Sequence, residues 1–173
     1  MDFNNNIVKY TAILSVMGIF YFLLTSYLLY TWPITFAILY LVIYIYVIVM
    51  FGREERPVRG DIFPFAEAFK AVFIIMVITA IVSLLFQFIW VNVVDSNLTG
   101  KIIERTIEST TKTLESFGTP EEAIEEAMAG IEESVLNQYT LVGLLKSIFW
   151  GFLASAVIAA IISFFIKKEE TFA

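Results

Sequence analysis

Four long runs without acidic residues dominate the sequence and restrict its fold more than any other feature. They cover residues 10–30, 34–51, 71–91 and 141–166, and Lys146 is the only charged residue in them. About 20 apolar residues wound as an α-helix are long enough to cross the hydrocarbon core of a bilayer. The sequence therefore predicts an all-α fold, a four-transmembrane-helix bundle that forms a single integral membrane domain over residues 1–173.

The composition supports this class and excludes several functions. Hydrophobic residues make up 59% and charged residues 16% of the chain, whereas about a quarter of a soluble domain is charged. The chain has no cysteine and no histidine, which removes thiolate nucleophiles, sulfur metal sites and the commonest general base. The net charge of −6 argues against nucleic acid as a partner. With no nucleophile and base pair, phosphate loop or metal cluster in view, the sequence predicts neither an enzyme nor a cofactor.

The distribution of lysine and arginine predicts the orientation in the membrane. Only Thr31, Trp32 and Pro33 separate the first two runs, so these two helices should be antiparallel neighbours. One side of the membrane then receives seven cations and the other side four. The seven are Lys9, Arg53, Arg56, Arg59, Lys70, Lys167 and Lys168. Because cytoplasmic segments carry the excess of Lys and Arg, both termini are expected in the cytoplasm.

The polar stretch 96–137, inserted between the third and fourth spans, is predicted to form an acidic, amphipathic two-helix hairpin outside the cytoplasm. Gly118 suits a left-handed C-terminal position, Thr119 an N-cap, Pro120 the first helical position and Glu122 a capping box. The apolar faces expected to close on each other contain Ile103, Ile107, Leu114 and Phe117 in the first helix and Ile124, Ala127, Met128, Ile131 and Val135 in the second. The segment has three interpretations: a solvated hairpin, a partner-docking surface, and a calcium site among the glutamates.

Polar side chains inside the spans form two patterns. Tyr40 and Tyr44 in the second span lie at depths similar to those of Ser83 and Thr79 in the third, where Gln87 continues the spacing. Hydroxyl and amide groups in a bilayer need partners within the protein, so these five residues predict an interhelical hydrogen-bond ladder, with a substrate path as the alternative.

The fourth span carries a small residue at every fourth position, a pattern that lets helices approach closely. The members of this small-residue stripe are Gly143, Ser147, Gly151, Ser155, Ala159 and Ser163. Its partner helix can belong to the same chain, to a second copy or to another protein. Lys146 lies little more than one turn inside the span, so its stem can snorkel outward and its ammonium group is expected to pair with Asp95, Glu132 or Glu133.

The layout of the chain resembles the DUF4199 family of uncharacterised bacterial membrane proteins. The resemblance includes two close spans, a charged link, a Phe-rich entry into the third span around Phe63 to Lys70, a Gly-Thr-Pro-Glu-Glu restart in the polar insert, and a last span ending in Lys167-Lys168. In that entry segment Phe63, Phe65 and Phe69 are expected to dip into lipid. The resemblance implies a four-helix protein of the bacterial inner membrane, with no assigned catalytic residues to carry over. It also implies a link to a membrane glycosyltransferase, beside which relatives often appear.

These observations predict an integral membrane protein of unknown function that serves as a non-enzymatic accessory or scaffold subunit. Its expected partners are the lipid bilayer and either a second copy of the chain or another membrane protein, for which the glycosyltransferase is one candidate. A small transporter or channel component is the alternative function. The two differ in whether the polar residues of the ladder line a wet cavity or a packed seam.

Overall fold

α-Helices account for nearly all of the residues that the computed structural model describes, which are 3–28 and 33–168. In chain order they are α1 (Phe3–Tyr27), α2 (Pro33–Val58), α3 (Phe65–Ile89), α4 (Leu98–Ser116), α5 (Glu121–Ala129), α6 (Ile131–Gln138) and α7 (Leu141–Ile166). A π-helical segment, Trp90–Val94, continues α3. Four of these helices, α1, α2, α3 with its continuation, and α7, are long and apolar enough to cross a membrane. The predicted all-α, multi-pass membrane architecture is confirmed.

The helix ends differ from the predicted boundaries. The turn expected at Thr31 and Trp32 and the tail 169–173 lie outside the described residues. The charged stretch after Phe51 was predicted as a link, but α2 continues through it to Val58. A Schellman turn follows the last residue of α2: Gly60 has a left-handed φ of 67°, and Asp61 N–H donates to the Arg56 carbonyl. α3 likewise begins at Phe65 rather than at residue 71.

The four long helices form a ring in which α3 contacts α1 and α7, and α2 contacts α1 and α7. We call the end that carries residues 5–9 and 167–168 the terminal end, and the opposite one the hairpin end. The large core cluster, which includes Leu14, Phe51, Phe63 and Ile75, fills the terminal half. Among the described residues, the buried cluster of the hairpin half is smaller and contains Phe22, Val91 and Leu98. Packing is therefore concentrated at the terminal end.

α4, α5 and α6 pack on one another at the hairpin end, in agreement with the predicted hairpin. Its turn is a Schellman turn: Gly118 has φ 71°, and Thr119 N–H donates to the Leu114 carbonyl over 3.1 Å. The predicted cap is wrong, because α5 begins at Glu121 and no side chain caps it. Pro120 is extended (φ −59°, ψ 145°), so it precedes the helix instead of opening it.

Two further details of the hairpin differ from the prediction. The second helix is interrupted at Gly130, which separates α5 from α6, since glycine weakens a helix interior. Phe117 was assigned to the apolar interface but is 81% exposed, because it lies at the turn, beyond the last residue of α4. On the outer surface, the ion pair with Lys112 lowers the pKa of Glu108, as expected for the i,i+4 spacing.

Candidate functional site

Four residues of the predicted polar ladder, Tyr40, Tyr44, Thr79 and Ser83, lie in a packed seam between helices. Gln87 instead lines a cavity at the hairpin end. Thr79 is buried, and the Ser83 hydroxyl lies so close to α1 that a Cβ added to Gly18 would be 2.6 Å from it. The Tyr40 ring stacks on Tyr21, with centroids 4.3 Å apart, and makes a tilted contact with Tyr44 at a centroid distance of 5.8 Å. In this seam, contacts between aromatic rings take the place of the expected interhelical hydrogen bonds. Tyr40, Tyr44, Thr79, Ser83 and Gln87 make no side-chain hydrogen bonds with one another among the described residues.

The small-residue stripe of α7 is divided into two halves. Ser155, Ala159 and Ser163 are buried in the part of the bundle where α7 packs on α3. Gly143 and Ser147, toward the hairpin end, are only half-buried, and a Cβ added to Gly151 would meet no atom within 4 Å. The stripe therefore has an internal partner over three positions and an unfilled surface around Gly151.

The predicted pairing of Lys146 with Asp95 is not formed. The Asp95 carboxylate accepts a hydrogen bond of 2.7 Å from the Tyr27 hydroxyl, which in turn accepts one of 2.9 Å from Trp90 Nε1. These contacts hold Asp95 against α1. Lys146 is exposed and lies beside Asn137 at the start of α7, consistent with a side chain that extends toward water.

A buried polar cluster at the terminal end was missed from the sequence. Glu55 is 0% exposed and Asn6 is 1% exposed. The Asn6 amide donates to one Glu55 oxygen over 2.8 Å, and Arg59 Nε donates to the other over 2.9 Å. Arg59 also pairs with Glu67. These four residues, which we call the buried clamp after Asn6 and Glu55, link α1 and α2 through the Glu55 carboxylate and reach α3 through the pair of Arg59 with the exposed Glu67.

Further contacts at the terminal end attach α7 to the same structure. The Arg56 guanidinium donates to the Ile166 carbonyl at the end of α7, with Nη2 at 2.7 Å. Phe63 and Lys168 exchange two backbone hydrogen bonds, of 2.7 and 2.9 Å. Phe63, expected in lipid, is fully buried because this bridge draws it under the helix ends and against Phe51. All four spans are thus joined at this end.

A cavity of about 310 Å³ lies at the hairpin end, between α1, α3 and α4. We call it the hairpin-end cavity; it is lined by Tyr21, Phe22, Thr25, Ser26, Gln87, Ile102, Arg105, Thr106, Ser109 and Tyr139. Arg105 donates to the Ser26 carbonyl and so fixes α4 over the end of α1. Burial raises the pKa of the Tyr139 hydroxyl, which is therefore a neutral hydrogen-bond donor near pH 7.

No group of three or more acidic residues that could hold a metal ion is found among the described residues. Comparison with known proteins gives one finding. The model of the family described as "Protein of unknown function (DUF4199)" matches residues 9–168. The chain belongs to the DUF4199 family. No curated protein and no solved structure matches it.

The match to the DUF4199 model covers all but the ends of the chain and confirms the resemblance seen in the sequence. It includes the buried clamp from Glu55 to Glu67 and the hairpin-end cavity, while Asn6 precedes it. Glu55 and Arg59 stand at i,i+4, a spacing that predicts an ion pair on a helix, so this part of the clamp had a sequence signal. The hairpin-end cavity had no signal in the sequence, because its walls come from helices that are far apart in the chain.

Proposed function

We propose that this DUF4199 protein is a non-enzymatic accessory or scaffold subunit that binds a membrane partner or a second copy of itself. The observation that supports this most is the packed seam: Tyr21 stacks on Tyr40, Tyr40 contacts Tyr44 at a tilted angle, and Ser83 lies against Gly18. A transporter or channel needs polar groups along a wet path through the bilayer. Side chains packed in this way favour a scaffold over the transporter alternative.

The proposed partner surface is the part of the small-residue stripe around Gly151, since Gly143 is covered by the backbone of Asn137. Gly151 has open space over its Cα, and Ala154, one turn further along the same face of α7, is exposed. Small residues flanked by larger ones allow a second helix to approach the backbone closely, and van der Waals packing drives association in lipid. A membrane glycosyltransferase is one candidate partner.

The proposed location is the bacterial inner membrane, with the terminal end in the cytoplasm. The terminal end carries seven of the eleven cations of the chain, which supports this orientation through the positive-inside rule. The hairpin then lies outside the cytoplasm. A reporter fused near Gly118 tests the orientation, and activity of a cytoplasm-specific reporter there would contradict it.

The scaffold proposal is tested by purifying the full-length protein from native membranes in mild detergent and measuring what co-purifies. We expect a stoichiometric partner, or a stable homo-oligomer, in the wild type. Gly151→Leu fills the open space and should remove that partner while the thermal stability of the protein stays unchanged. Val157→Leu, on an exposed position of the same helix, is the matched control and should retain it. A lone monomer in the wild type, or equal retention by both variants, would contradict the proposal.

A further inference from the structure

The hairpin-end cavity differs in charge from the segment that surrounds it. Residues 95–146 contain ten acidic side chains and four basic ones. Among the described residues that line the cavity there is no acid, and Arg105 is the one cation. Arg105 therefore gives the cavity wall a local positive charge that no described lining acid accompanies, and a guanidinium favours an anionic group in direct contact with it.

Three neutral lining residues also offer hydrogen bonds. Gln87, Tyr21 and Tyr139 make no side-chain hydrogen bond with any described residue. Each can donate a hydrogen bond, and a polar group at the depth of Gln87, inside the third span, requires a partner because lipid offers none. These three groups and Arg105 meet in one volume of about 310 Å³, at the small end of the range of known ligand pockets.

The position of the cavity indicates what kind of anion would reach it. Its floor is formed by α1 and α3 within their spans, by Tyr21, Phe22 and Gln87, and its roof by the amphipathic helix α4. Phe20 and Leu28 on α1 are exposed apolar residues close to it in sequence. A ligand with an anionic head and apolar chains matches a cavity that has Arg105 on its α4 side and two membrane spans as its other walls.

We propose that the hairpin-end cavity binds the headgroup of an anionic phospholipid. The phosphodiester would accept hydrogen bonds from the Arg105 guanidinium and from the Tyr139 hydroxyl, while Gln87 and Tyr21 bind the polar atoms between phosphate and acyl chains. Arginine suits this role because its planar fork of donors matches phosphate oxygens. The acyl chains lie along the exposed surface of α1 near Phe20.

The test is native mass spectrometry of the full-length protein, released from detergent after incubation with phosphatidylglycerol or with phosphatidylethanolamine carrying the same acyl chains. We expect one phosphatidylglycerol bound in preference to phosphatidylethanolamine. Arg105→Gln removes the charge and should lower affinity for phosphatidylglycerol about tenfold, since a hydrogen bond to a charged group contributes at least that factor. Lys101→Gln is the matched control: it removes the same charge one turn away on α4, from an exposed position outside the cavity.

Four outcomes overturn the proposal. These are an absence of preference in the wild type, unchanged binding by Arg105→Gln, and an equal loss in Lys101→Gln, which would indicate general charge attraction. The fourth is displacement of the lipid by millimolar inorganic phosphate, which would identify a site for free anions.

Loss of the Arg105 hydrogen bond to the Ser26 carbonyl could prevent Arg105→Gln from folding. In that case two further variants test the proposed lipid contacts. Arg105→Lys keeps the charge and should retain the preference for phosphatidylglycerol. Gln87→Leu removes a proposed ligand contact and should weaken binding several-fold. Unchanged affinity in Gln87→Leu, or loss of the preference in Arg105→Lys, would overturn the assignment of these residues.

Discussion

At the scale of single residues, glycines decide how closely the spans approach. Gly18 allows α1 to lie against the Ser83 hydroxyl, whereas Gly151 has no neighbour over its Cα. Both glycines lie inside membrane-spanning helices. The same substitution should therefore have opposite effects at the two positions.

We expect Gly18→Ala to destabilise the protein by about 1–3 kcal/mol, the usual cost of overpacking, because its Cβ would be 2.6 Å from Ser83 Oγ. Gly151→Ala gains helix propensity without a clash and should be neutral or stabilising. Thermal unfolding in detergent measures both variants. In the double variant Gly18→Ala/Ser83→Ala the stability should largely return, and equal losses in Gly18→Ala and Gly151→Ala would refute this account.

At the scale of elements, the hairpin shows how far local sequence determines structure. The spans, the hairpin and its turn at Gly118 were predicted correctly, because charge-free length and left-handed glycine positions are local signals. The start of α5, the break at Gly130 and the burial of Phe63 were not. Phe63 is buried because its backbone pairs with Lys168, a residue more than 100 positions away that no local pattern identifies.

The two hairpin glycines should respond oppositely to alanine. Gly118 has φ 71°, a conformation that costs an L-residue about 1–2 kcal/mol, so Gly118→Ala should open the hairpin more often. Gly130 has φ −88°, which alanine adopts readily, so Gly130→Ala should stabilise the second arm by about 0.4–1 kcal/mol. Hydrogen exchange of residues 98–138 measures the effect. Faster exchange in Gly130→Ala than in Gly118→Ala would contradict the assigned turn.

The candidate site was predictable only in part, for the same reason. The sequence identified Ser155, Ala159 and Ser163 as interface residues, and the structure buries all three. It gave no indication that Arg105, on the polar face of an amphipathic helix, would line a cavity with Gln87 of a different helix. Side chains from distant segments come together only through tertiary packing, and a single sequence does not record that packing.

At the scale of the whole molecule, the described contacts are unevenly distributed between the two ends of the bundle. The buried clamp joins α1, α2 and α3, and Arg56 adds α7. The hairpin end has a small core and a cavity. The terminal end should therefore unfold last, since local stability follows the density of buried contacts.

The buried clamp gives this expectation a direct test. Glu55→Gln removes a fully buried charge that two side chains bond, and it should cost about 1.5–3 kcal/mol, the range for hydrogen bonds to charged groups. Glu54→Gln, the neighbouring residue, removes a partly exposed pair with Lys9 and should cost at most about 1 kcal/mol. Thermal unfolding in detergent compares the two. A larger loss of stability in Glu54→Gln than in Glu55→Gln would show that the buried clamp is not the main link between the helices at the terminal end.

The length of the third span has a consequence for how the molecule is inclined in lipid. Phe65–Val94 contains 30 residues, about 45 Å of helix against a hydrocarbon core of about 30 Å. A span longer than the core tilts, kinks or thickens the bilayer around it, and the polar residues Glu67 and Lys70 allow its first turn to stand in water. We therefore expect α3 to be tilted relative to the bilayer normal. Its tilt angle should change with membrane thickness, and the attached hairpin should move with it.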